Sequence, residues 1–564
     1  MSEKKKNNHS ITEKSDARKV QPDERAAKMA ANVRKRSRKA SPPSPLFDMN
    51  NIPELISRVF LIAMAIIFPL AMGEQKYGNI THFKNSAFYV IAALGLCSVI
   101  IAMIYKVITT PADKFRVELP DLNLPDIAVL CYWGFLLIST VLSPFKEIAL
   151  NGQGVRNDGF IIQSFYVAVY FLISHLLKLR KFDLNVYCVG ATLVAGLVML
   201  HYFGFDVLST GFSKPNWESG LLFLGPMGNI NLTSYFVTVA ITLAAGIYIT
   251  EQQLPFPRSG IVTLSCFALM LWAELNLNTD AGIVALGVTL LAAMPLMITS
   301  AKRLGRFFTV LSVALGVLAF NRLVIQNWIL QKPFGTTGLG MIFGAVLSGA
   351  VAAFLGMDSG MELISGLRKK ADSILTSRRL LISTLSIDGL AVLGVFVAAF
   401  FAAKSKKSGV LYELGQMVFH GNFKDSFGHS RLFTWKRSVK LAGKNPIFGS
   451  GPDTFCTVFN NAFGEESKKY FGGRNLDKAH NEYLQLLICS GVTSLGAFLT
   501  FIGSMVVKTY RNAERNPLLV CCGAAVIAYA VHAFFGYSLP INTPLMWVLL
   551  GLTGAAVRLH PENS

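Results

Sequence analysis

The chain has few charged residues and few cysteines. Only 15% of its 564 residues are charged, whereas 52% are hydrophobic. This balance argues against a soluble domain and is typical of a membrane protein. Almost all of the eight cysteines lie inside apolar runs, and they form no Cys-x-x-Cys pair. The sequence therefore predicts neither a disulfide framework nor a metal site built on such pairs.

Long apolar runs fill most of the chain. About fourteen of them have the roughly 17–25 residues needed to cross the hydrocarbon layer of a membrane. The runs start near Leu55, Ala87, Ile127, Phe160, Val186, Leu232, Ile261, Gly282, Phe307, Met341, Leu380, Tyr483, Leu518 and Pro544. A closely spaced pair near Gly282 and a short run after Met341 are less clear. We therefore predict an all-α polytopic membrane protein with about 12–14 transmembrane helices.

The net charge of +20 has two interpretations. Residues 1–49 are rich in Lys, Arg, Ser and Asn without a periodic apolar face, which predicts a disordered cytoplasmic tail. Basic residues recur in alternate short loops, as around Lys178 and Lys302, and such loops stay in the cytoplasm. We interpret the charge as a topology signal with attraction to anionic lipids; nucleic-acid binding is the weaker alternative. Both termini are then cytoplasmic, and the first apolar run is an uncleaved anchor.

These features predict five segments. They are a disordered basic cytoplasmic tail (1–49), a transmembrane bundle (50–402), one large extracytoplasmic and partly helical loop (403–480), C-terminal transmembrane helices (481–558) and a short cytoplasmic tail (559–564). Loops longer than about 12–15 residues are usually functional or disordered. The aromatic and helical pattern of this loop favours function.

The stretch "SRLFTWKRSVKLAGKNPIFGSGPDTF" in this loop predicts a basic amphipathic helix. Its apolar residues recur at helical spacing, and its basic residues lie beside them. The apolar positions are Leu432, Trp435, Val439 and Ala442, and the basic ones are Lys436, Arg437, Lys440 and Lys444. Such a helix suits lipid headgroups or an anion, although a solvated charged face is an equal alternative. Gly449 and Gly451 would either let backbone N–H groups converge on an anion or merely reverse the chain.

A second polar cluster, "DKAHNEYLQLLICSG", opens an apolar run. We predict that Asp477 caps the helix, which places His480 in its first turn. The partial positive charge there disfavours an imidazolium, and a neutral imidazole can accept a proton as a general base must. A bound pyrophosphate would favour the charged ring instead. Alternatively, His480 is an interfacial polar residue without a chemical role.

The order of these motifs resembles the O-antigen ligase and polymerase-like superfamily (Wzy-C type) of bacterial membrane glycosyltransferases. The family pattern of His, then Asn, Ser or Gln, then nine residues and Gly is met by His480, Asn481 and Gly491. The position three residues later is usually Gly, Thr or Tyr and here is Ser494.

Two upstream stretches extend the resemblance, which spans roughly residues 126–557. "GPMGNINLTSYF", with Asn229 and Asn231, is similar to the Gly-Asn-x-Asn opening of a family span. "SPFKEIALNGQGVRNDGF", with Arg156, is similar to the first outside loop of the family.

The resemblance implies a GT-C-like fold and a metal-independent, inverting glycosyltransferase without a cofactor. Such enzymes take a glycan from an undecaprenyl-diphosphate carrier at the outer face of the cytoplasmic membrane. They transfer it to a hydroxyl of an acceptor lipid, glycan or protein. The expected partners are therefore the carrier-linked glycan, the acceptor and membrane lipids, with no nucleic acid. The expected location is the inner or plasma membrane.

The resemblance also implies roles for individual residues. His480 corresponds to the motif histidine that activates the acceptor. The candidates for binding the diphosphate or glycan are Arg431, Arg156, Lys436, Arg437, Asn481, Asn229 and Asn231. A guanidinium suits paired phosphate oxygens.

One position departs from the family pattern. Many members carry Ser-Arg-Gly where two spans meet, whereas this chain reads "NTDAG". Asp280 cannot hold a phosphate directly, so Arg156, Arg322 or a loop lysine would replace the family arginine, or the carrier is handled differently.

Two other functions remain open. A flippase for the same carrier would show two similar halves and polar residues near the midplane, and the sequence has no visible internal repeat. A catalytically inactive scaffold is the other alternative, because Asp280 replaces an expected arginine. The sequence does not distinguish a ligase from a polymerase.

Overall fold

The computed structural model describes residues 45–48, 51–111, 120–154, 157–212, 214–220, 224–251, 258–297, 299–356, 366, 369–370, 378–404 and 409–559. The chain divides into two compact units, Met1–Ile52 and Pro53–Ser564. The helices that follow belong to the second unit, and no strand occurs among the described residues.

We number nineteen helices along the described residues. They are α1 Ile52–Leu70, α2 Ile80–Thr109, α3 Leu124–Leu142, α4 Lys146–Asn151, α5 Phe160–Leu176, α6 Lys181–Tyr202, α7 Asn216–Ser219, α8 Ile230–Thr250, α9 Arg258–Leu277, α10 Asp280–Met297, α11 Ala301–Asn321, α12 Gly335–Gly356, α13 Arg378–Lys404, α14 Val410–His420, α15 Arg431–Ala442, α16 Phe455–Tyr470, α17 Glu482–Arg511, α18 Pro517–Phe535 and α19 Thr543–Arg558. A π-helical extension, Arg322–Ile329, continues α11.

The helices confirm an all-α polytopic membrane protein. Within the described part of the chain, 11 helices are long and apolar enough to cross a membrane, and three shorter apolar helices accompany them. Each of the fourteen predicted runs falls on one of these helices. The shorter ones include α5 and α19, where 17 and 16 residues give about 25 Å of helix.

Helix α8 lies at the centre of the bundle. Of its most apolar stretch, 94% is buried, against 11% for α12. A helix that is apolar on every side must be surrounded by other helices or by lipid. The backbone of Cys521 on α18 comes close to Gly246 of α8, since a Cβ there would lie 3.1 Å from the Cys521 Cα. Small residues permit such close packing between membrane helices.

A buried ion-pair cluster joins α1 and α6 at the end of the bundle away from the large loop. Arg58 Nε lies 2.9 Å from Asp183 Oδ1, and Arg58 Nη2 lies 3.0 Å from Glu54 Oε1. All three side chains are almost fully buried. Charges in such a place must be paired, so the cluster fixes how α1 docks on α6.

Helix α17 is interrupted where the large loop crosses it. Gly491 has φ 75° and ψ 179° inside the helix, a backbone conformation that favours glycine. The N–H of Val492 donates to the carbonyl of Pro446 at 2.8 Å, and the N–H of Gly451 donates to the carbonyl of Cys489 at 2.7 Å. The break therefore exposes helix backbone that the loop segment 446–451 binds.

Candidate functional site

A cavity of about 640 Å³ lies between the large loop and the transmembrane bundle. The large loop contributes one wall: His429, Ser430, Arg431, Thr434, Phe471, Leu476 and His480. The bundle contributes the opposite wall: Asn216, Gly220, Ile230, Asn231, Asn276, Leu277, Asn278, Thr279 and Asp280. The structure thus brings together three sequence-predicted site residues, Arg431, His480 and Asn231, from distant parts of the chain.

Several helices begin at this cavity. Residues in the first turn of α8, α10 and α15 line it, and α17 begins two residues after His480. Each helix N-terminus carries a partial positive charge of roughly half an elementary charge. Helix N-termini are common binding sites for phosphate and other anions. The N-termini of α15 and α17 lie on the loop side of the cavity with Arg431 and favour an anionic ligand there, whereas the carboxylate of Asp280 offsets the charge at the start of α10.

Strained backbone also concentrates here. Four non-glycine residues that line the cavity have left-handed backbone angles: Asn278 (φ 51°), His429 (φ 55°), Ser430 (φ 67°) and His480 (φ 51°). Such conformations cost free energy and persist only where the surrounding structure enforces them. Their clustering at one cavity marks it as the candidate functional site.

Arg431 is the first residue of α15 and is half-buried. Its Nη1 donates to the carbonyl of Gly428 at 3.3 Å, whereas its enclosed Nε has no hydrogen-bond acceptor among the described residues. Burial lowers the pKa of this guanidinium, and the nearby Asp280 opposes the effect only in part. An arginine in a protein nevertheless remains charged. Arg431 therefore presents a cation with unused donor capacity to the cavity.

His480 is held in place through its neighbours. The N–H of Ala479 donates to Gln485 Oε1 at 2.9 Å, and Trp435 Nε1 donates to the carbonyl of Ala479 at 3.1 Å. The imidazole ring meets the ring of Tyr537 edge-on, with centroids 4.8 Å apart. Bonds on the preceding residue and this ring contact fix the imidazole at the cavity wall.

The predicted cap of α17 was wrong. Asn481, not Asp477, caps the helix, because its Oδ1 accepts from the N–H of Leu484 at 3.0 Å. His480 consequently lies just before the helix rather than in its first turn. The left-handed backbone of His480 is not helical, so the helix begins after Asn481 rather than after Asp477.

Asp280 lies on the bundle wall of the same cavity and reaches the large loop. Its Oδ2 is 3.4 Å from His429 Nδ1. The preceding residue, Thr279, is fixed from behind, because its hydroxyl lies 2.6 Å from Ser234 Oγ and 3.3 Å from the buried Glu274 Oε1. The turn that carries Asp280 is therefore well supported, and Glu274 has a structural role in it.

A second cluster lies behind the His480 segment. Asp453 Oδ1 is 2.8 Å from Lys478 Nζ, while Asp453 Oδ2 accepts from the N–H groups of Gln153 at 2.8 Å and Asp158 at 3.1 Å. Lys478 also lies 3.5 Å from Asp158. A single carboxylate thus joins the turn after α4 to the segment that carries His480. Burial raises the pKa of Asp158 to about 6, and Lys478 opposes that shift.

The Gly-Ser-Gly-Pro turn does not present its N–H groups to an anion. The N–H groups of Gly449, Ser450 and Gly451 donate to the carbonyls of Asn445, Ile488 and Cys489. A Cβ at Gly449 would overlap the backbone of Cys489. The glycines allow the turn to lie against α17, so the chain-reversal alternative is the correct one.

The predicted basic helix exists as α15, but its packing differs from the prediction. Phe433 and Leu441 are buried instead of Val439, which is 60% exposed. Phe433 packs with Phe455 and Phe459 in a small core of the loop. Leu441 lies eight positions after Phe433, which is also a helical spacing, so the pattern alone did not distinguish the two faces.

Other predicted cations lie away from the cavity. Lys436 pairs with Asp425 at 2.7 Å, and Arg437 pairs with Asp425 at 3.1 Å and also with Glu466. Arg322 donates to the carbonyls of Phe334 and Pro333. The structure therefore does not bring Lys436, Arg437 or Arg322 together with Arg431.

The remaining candidates have these positions. Asn229 caps α8 by accepting from the N–H of Asn231 at 2.9 Å, and Asn481 caps α17. Both amides thereby fix helices that begin at the cavity. Arg156 lies outside the described residues.

Comparison with known protein families identifies part of the chain. Residues 336–499 match the family model described as O-antigen ligase. This part of the chain is therefore similar to the O-antigen ligase family. The match supports the resemblance found in the sequence, and the matched residues include both Arg431 and His480. It supports polysaccharide assembly of the ligase or polymerase type. No curated protein matches the chain.

Sequence reasoning missed two parts of the site. The buried cluster joins residues 295 and 300 positions apart, and no local pattern signals such pairs. Asn231 on the bundle wall was predicted, but Asn216 and Asn278, which belong to separate segments, were not. The polar string "NLNTD" between two apolar runs was a usable signal for the last of these.

Proposed function

We propose that the protein transfers a glycan from an undecaprenyl-diphosphate carrier to an acceptor hydroxyl at the outer face of the cytoplasmic membrane. The observation that carries this proposal is the cavity in which Arg431 and His480 share one wall at the N-termini of several helices. A lipid-linked diphosphate reaches this depth, because the cavity lies at the ends of the transmembrane helices. The basic loops at the opposite end of the bundle support an outward-facing cavity.

Arg431 binds the diphosphate in this scheme. Its Nε has no acceptor among the described residues, and two anionic phosphate oxygens would satisfy a guanidinium fork. The helix N-termini around it add positive potential. When the bond between the sugar and the diphosphate breaks, negative charge grows on the leaving phosphate. These cationic groups stabilise that charge.

His480 activates the acceptor. A nitrogen of its imidazole takes the proton from the acceptor hydroxyl as the oxygen attacks the anomeric carbon of the donor sugar. The new bond forms on the face opposite the diphosphate, which departs with the bonding electron pair, so the anomeric configuration inverts. The carrier diphosphate then leaves the cavity, and His480 returns its proton to solvent, which completes the cycle.

The test is reconstitution of the purified protein with a carrier-linked glycan and an acceptor. With the wild-type protein, we expect the glycan either to be lengthened or to be transferred to the acceptor. Arg431→Lys keeps the charge but loses the two-pronged donor, so transfer should fall by about 10–100-fold, as for loss of a hydrogen bond to a charged group. Arg474→Lys, on an exposed loop residue, should have no effect.

The assay also separates the alternatives. Full transfer by both Arg431→Lys and Arg431→Ala would remove Arg431 from the mechanism. Movement of the carrier from one leaflet of the vesicle membrane to the other, without a new glycosidic bond, would indicate a flippase. A single transfer to a lipid or protein indicates a ligase, whereas repeated transfer to a carrier-linked glycan indicates a polymerase.

A further inference from the structure

Three asparagines on the bundle wall of the cavity have side chains that form no hydrogen bond within the described part of the chain. We call Asn216, Asn231 and Asn278, together with Asp280, the amide wall. The Oδ1 atom of Asn216 is fully enclosed and has no donor there. By contrast, Asn276 donates to the carbonyl of Trp272 at 2.8 Å and to Asn321 at 2.9 Å.

An enclosed amide oxygen without a donor requires an explanation. Leaving a buried polar atom unpaired costs about 1–3 kcal/mol, and native proteins rarely accept that cost without a functional reason. Asn216 has such an enclosed oxygen, and the half-buried Asn231 and the exposed Asn278 line the same cavity of about 640 Å³. Together their amides are suited to a polar ligand. Asn276 lines the same wall, but its side chain forms hydrogen bonds to Trp272 and Asn321 and so has a structural role.

The chemistry of the wall differs from that of the loop opposite. Each amide provides one acceptor and two donor hydrogens, and a carboxylate provides acceptors only. The described residues of the bundle wall include no Lys or Arg, so a phosphate finds no cation there. Neighbouring hydroxyls or an acetamido group of a sugar ring both donate and accept, and match such a surface.

We propose that the amide wall binds the first sugar of the carrier-linked glycan, and that Asp280 selects against a sugar that carries a carboxylate. This inference rests on the proposed function, since it places the diphosphate on Arg431 across the same cavity. Asp280 Oδ2 lies 3.4 Å from His429 Nδ1, and its other oxygen accepts from sugar hydroxyls. The carboxylate repels an acidic sugar. Asp280 thus has a role in sugar selection at the position where many family members carry an arginine.

The local structure supports the part of this wall formed by residues 278–280. Thr279 is held by Ser234 and the buried Glu274, and Asn278 has a left-handed backbone that asparagine tolerates better than most residues. Asp280 begins α10, which fixes the direction of its side chain relative to the helix. A binding surface on rigid supports discriminates between sugars more sharply than one on loops.

The selectivity is tested with two carrier-linked donors, one beginning with a neutral N-acetylated sugar and one with a uronic acid. We expect wild type to use the neutral donor with the higher kcat/KM. Asp280→Asn should raise the relative use of the acidic donor by at least about tenfold, because a like-charge contact disappears. The control is Glu465→Gln, which makes the same charge change on a 93% exposed side chain of α16 and should leave the ratio unchanged. An unchanged ratio in Asp280→Asn would overturn the selectivity.

Binding experiments test the wall without turnover. A fluorescent glycan-bearing carrier is bound to the purified protein in detergent and displaced by sugar-free undecaprenyl diphosphate. Asn231→Ala and Asn216→Ala should weaken binding of the glycan carrier by about tenfold per lost hydrogen bond, with unchanged affinity for the sugar-free carrier. Arg431→Ala should weaken both. If the asparagine variants lose affinity equally for both ligands, or lose none, the sugar subsite is overturned. If the protein binds both carriers but transfers no glycan, only the proposed reaction is refuted.

Discussion

Lys478 Nζ lies 2.8 Å from Asp453 Oδ1, and both side chains are at least 96% buried. This pair connects the turn that follows the glycine-rich segment to the residue two positions before His480. Asp453 also accepts from the N–H groups of Gln153 and Asp158. One buried ion pair therefore determines where three separate segments meet.

Removing one partner of this pair should destabilise the protein strongly. Lys478→Met leaves Asp453 and Asp158 buried without their cation, which typically costs about 3–5 kcal/mol of unfolding free energy. Denaturant titration in detergent micelles measures the change. The matched control is Lys468→Met, which breaks an exposed pair with Glu465 and should cost at most about 1 kcal/mol. Equal effects of the two substitutions would contradict a structural role for the buried pair.

The same cluster should make stability depend on pH. The pKa of Asp158 is raised by burial from 3.8 to about 6 in the folded protein. Between these values the folded state holds a proton that the unfolded state has released, so folding stability falls as the pH rises from about 4 to about 6 and then levels off. Asp158→Asn should remove the contribution of this residue and make the slope shallower. Melting temperatures of both proteins across this range decide the matter, and parallel curves would refute the assignment.

Gly491 should tolerate no side chain. A Cβ there would overlap the carbonyl of Ile447, and φ 75° is unfavourable for alanine. Gly491→Ala should therefore cost more than about 1 kcal/mol of unfolding free energy. Gly496 lies on the same helix, and a Cβ added to it would meet nothing within 4 Å, so Gly496→Ala should be neutral or stabilising by up to about 1 kcal/mol. Similar losses in both variants would mean that the break in α17 is not required.

The sequence predicted the transmembrane helices well because a membrane imposes one simple rule, a long apolar run, on each of them. It also singled out Arg431 and His480, which belong to local motifs and line the same cavity. It did not predict which face of α15 is buried, because Phe433 and Val439 both fit a helical spacing. Contacts such as Asp453 with Gln153 depend on the complete fold, and no periodicity in the sequence encodes them.

The amide wall also shows a limit of prediction from sequence patterns. Asp280 was recognised in the sequence only as a departure from a family pattern. Its position facing Arg431, beside asparagines from two other segments, gives the departure a chemical meaning. Residues that differ from a family pattern are thus informative once their neighbours are known.

His480 should be required for turnover but not for carrier binding. General-base assistance typically contributes 10²–10⁴-fold, so a variant that cannot accept a proton should lose about that much activity. We choose His480→Asn because asparagine tolerates the left-handed backbone (φ 51°) at this position better than alanine does. His480→Gln extends the amide further and can still orient a hydroxyl.

The pair of variants separates proton acceptance from positioning. Loss of turnover in both variants, with near-normal binding of the carrier and an unchanged melting temperature, identifies His480 as the base. Recovery of activity in His480→Gln alone would make it a positioning group, since glutamine cannot take a proton at neutral pH. Full transfer by both would exclude His480 from the reaction. Single-turnover rates with saturating carrier give the cleanest comparison, because product release does not enter them.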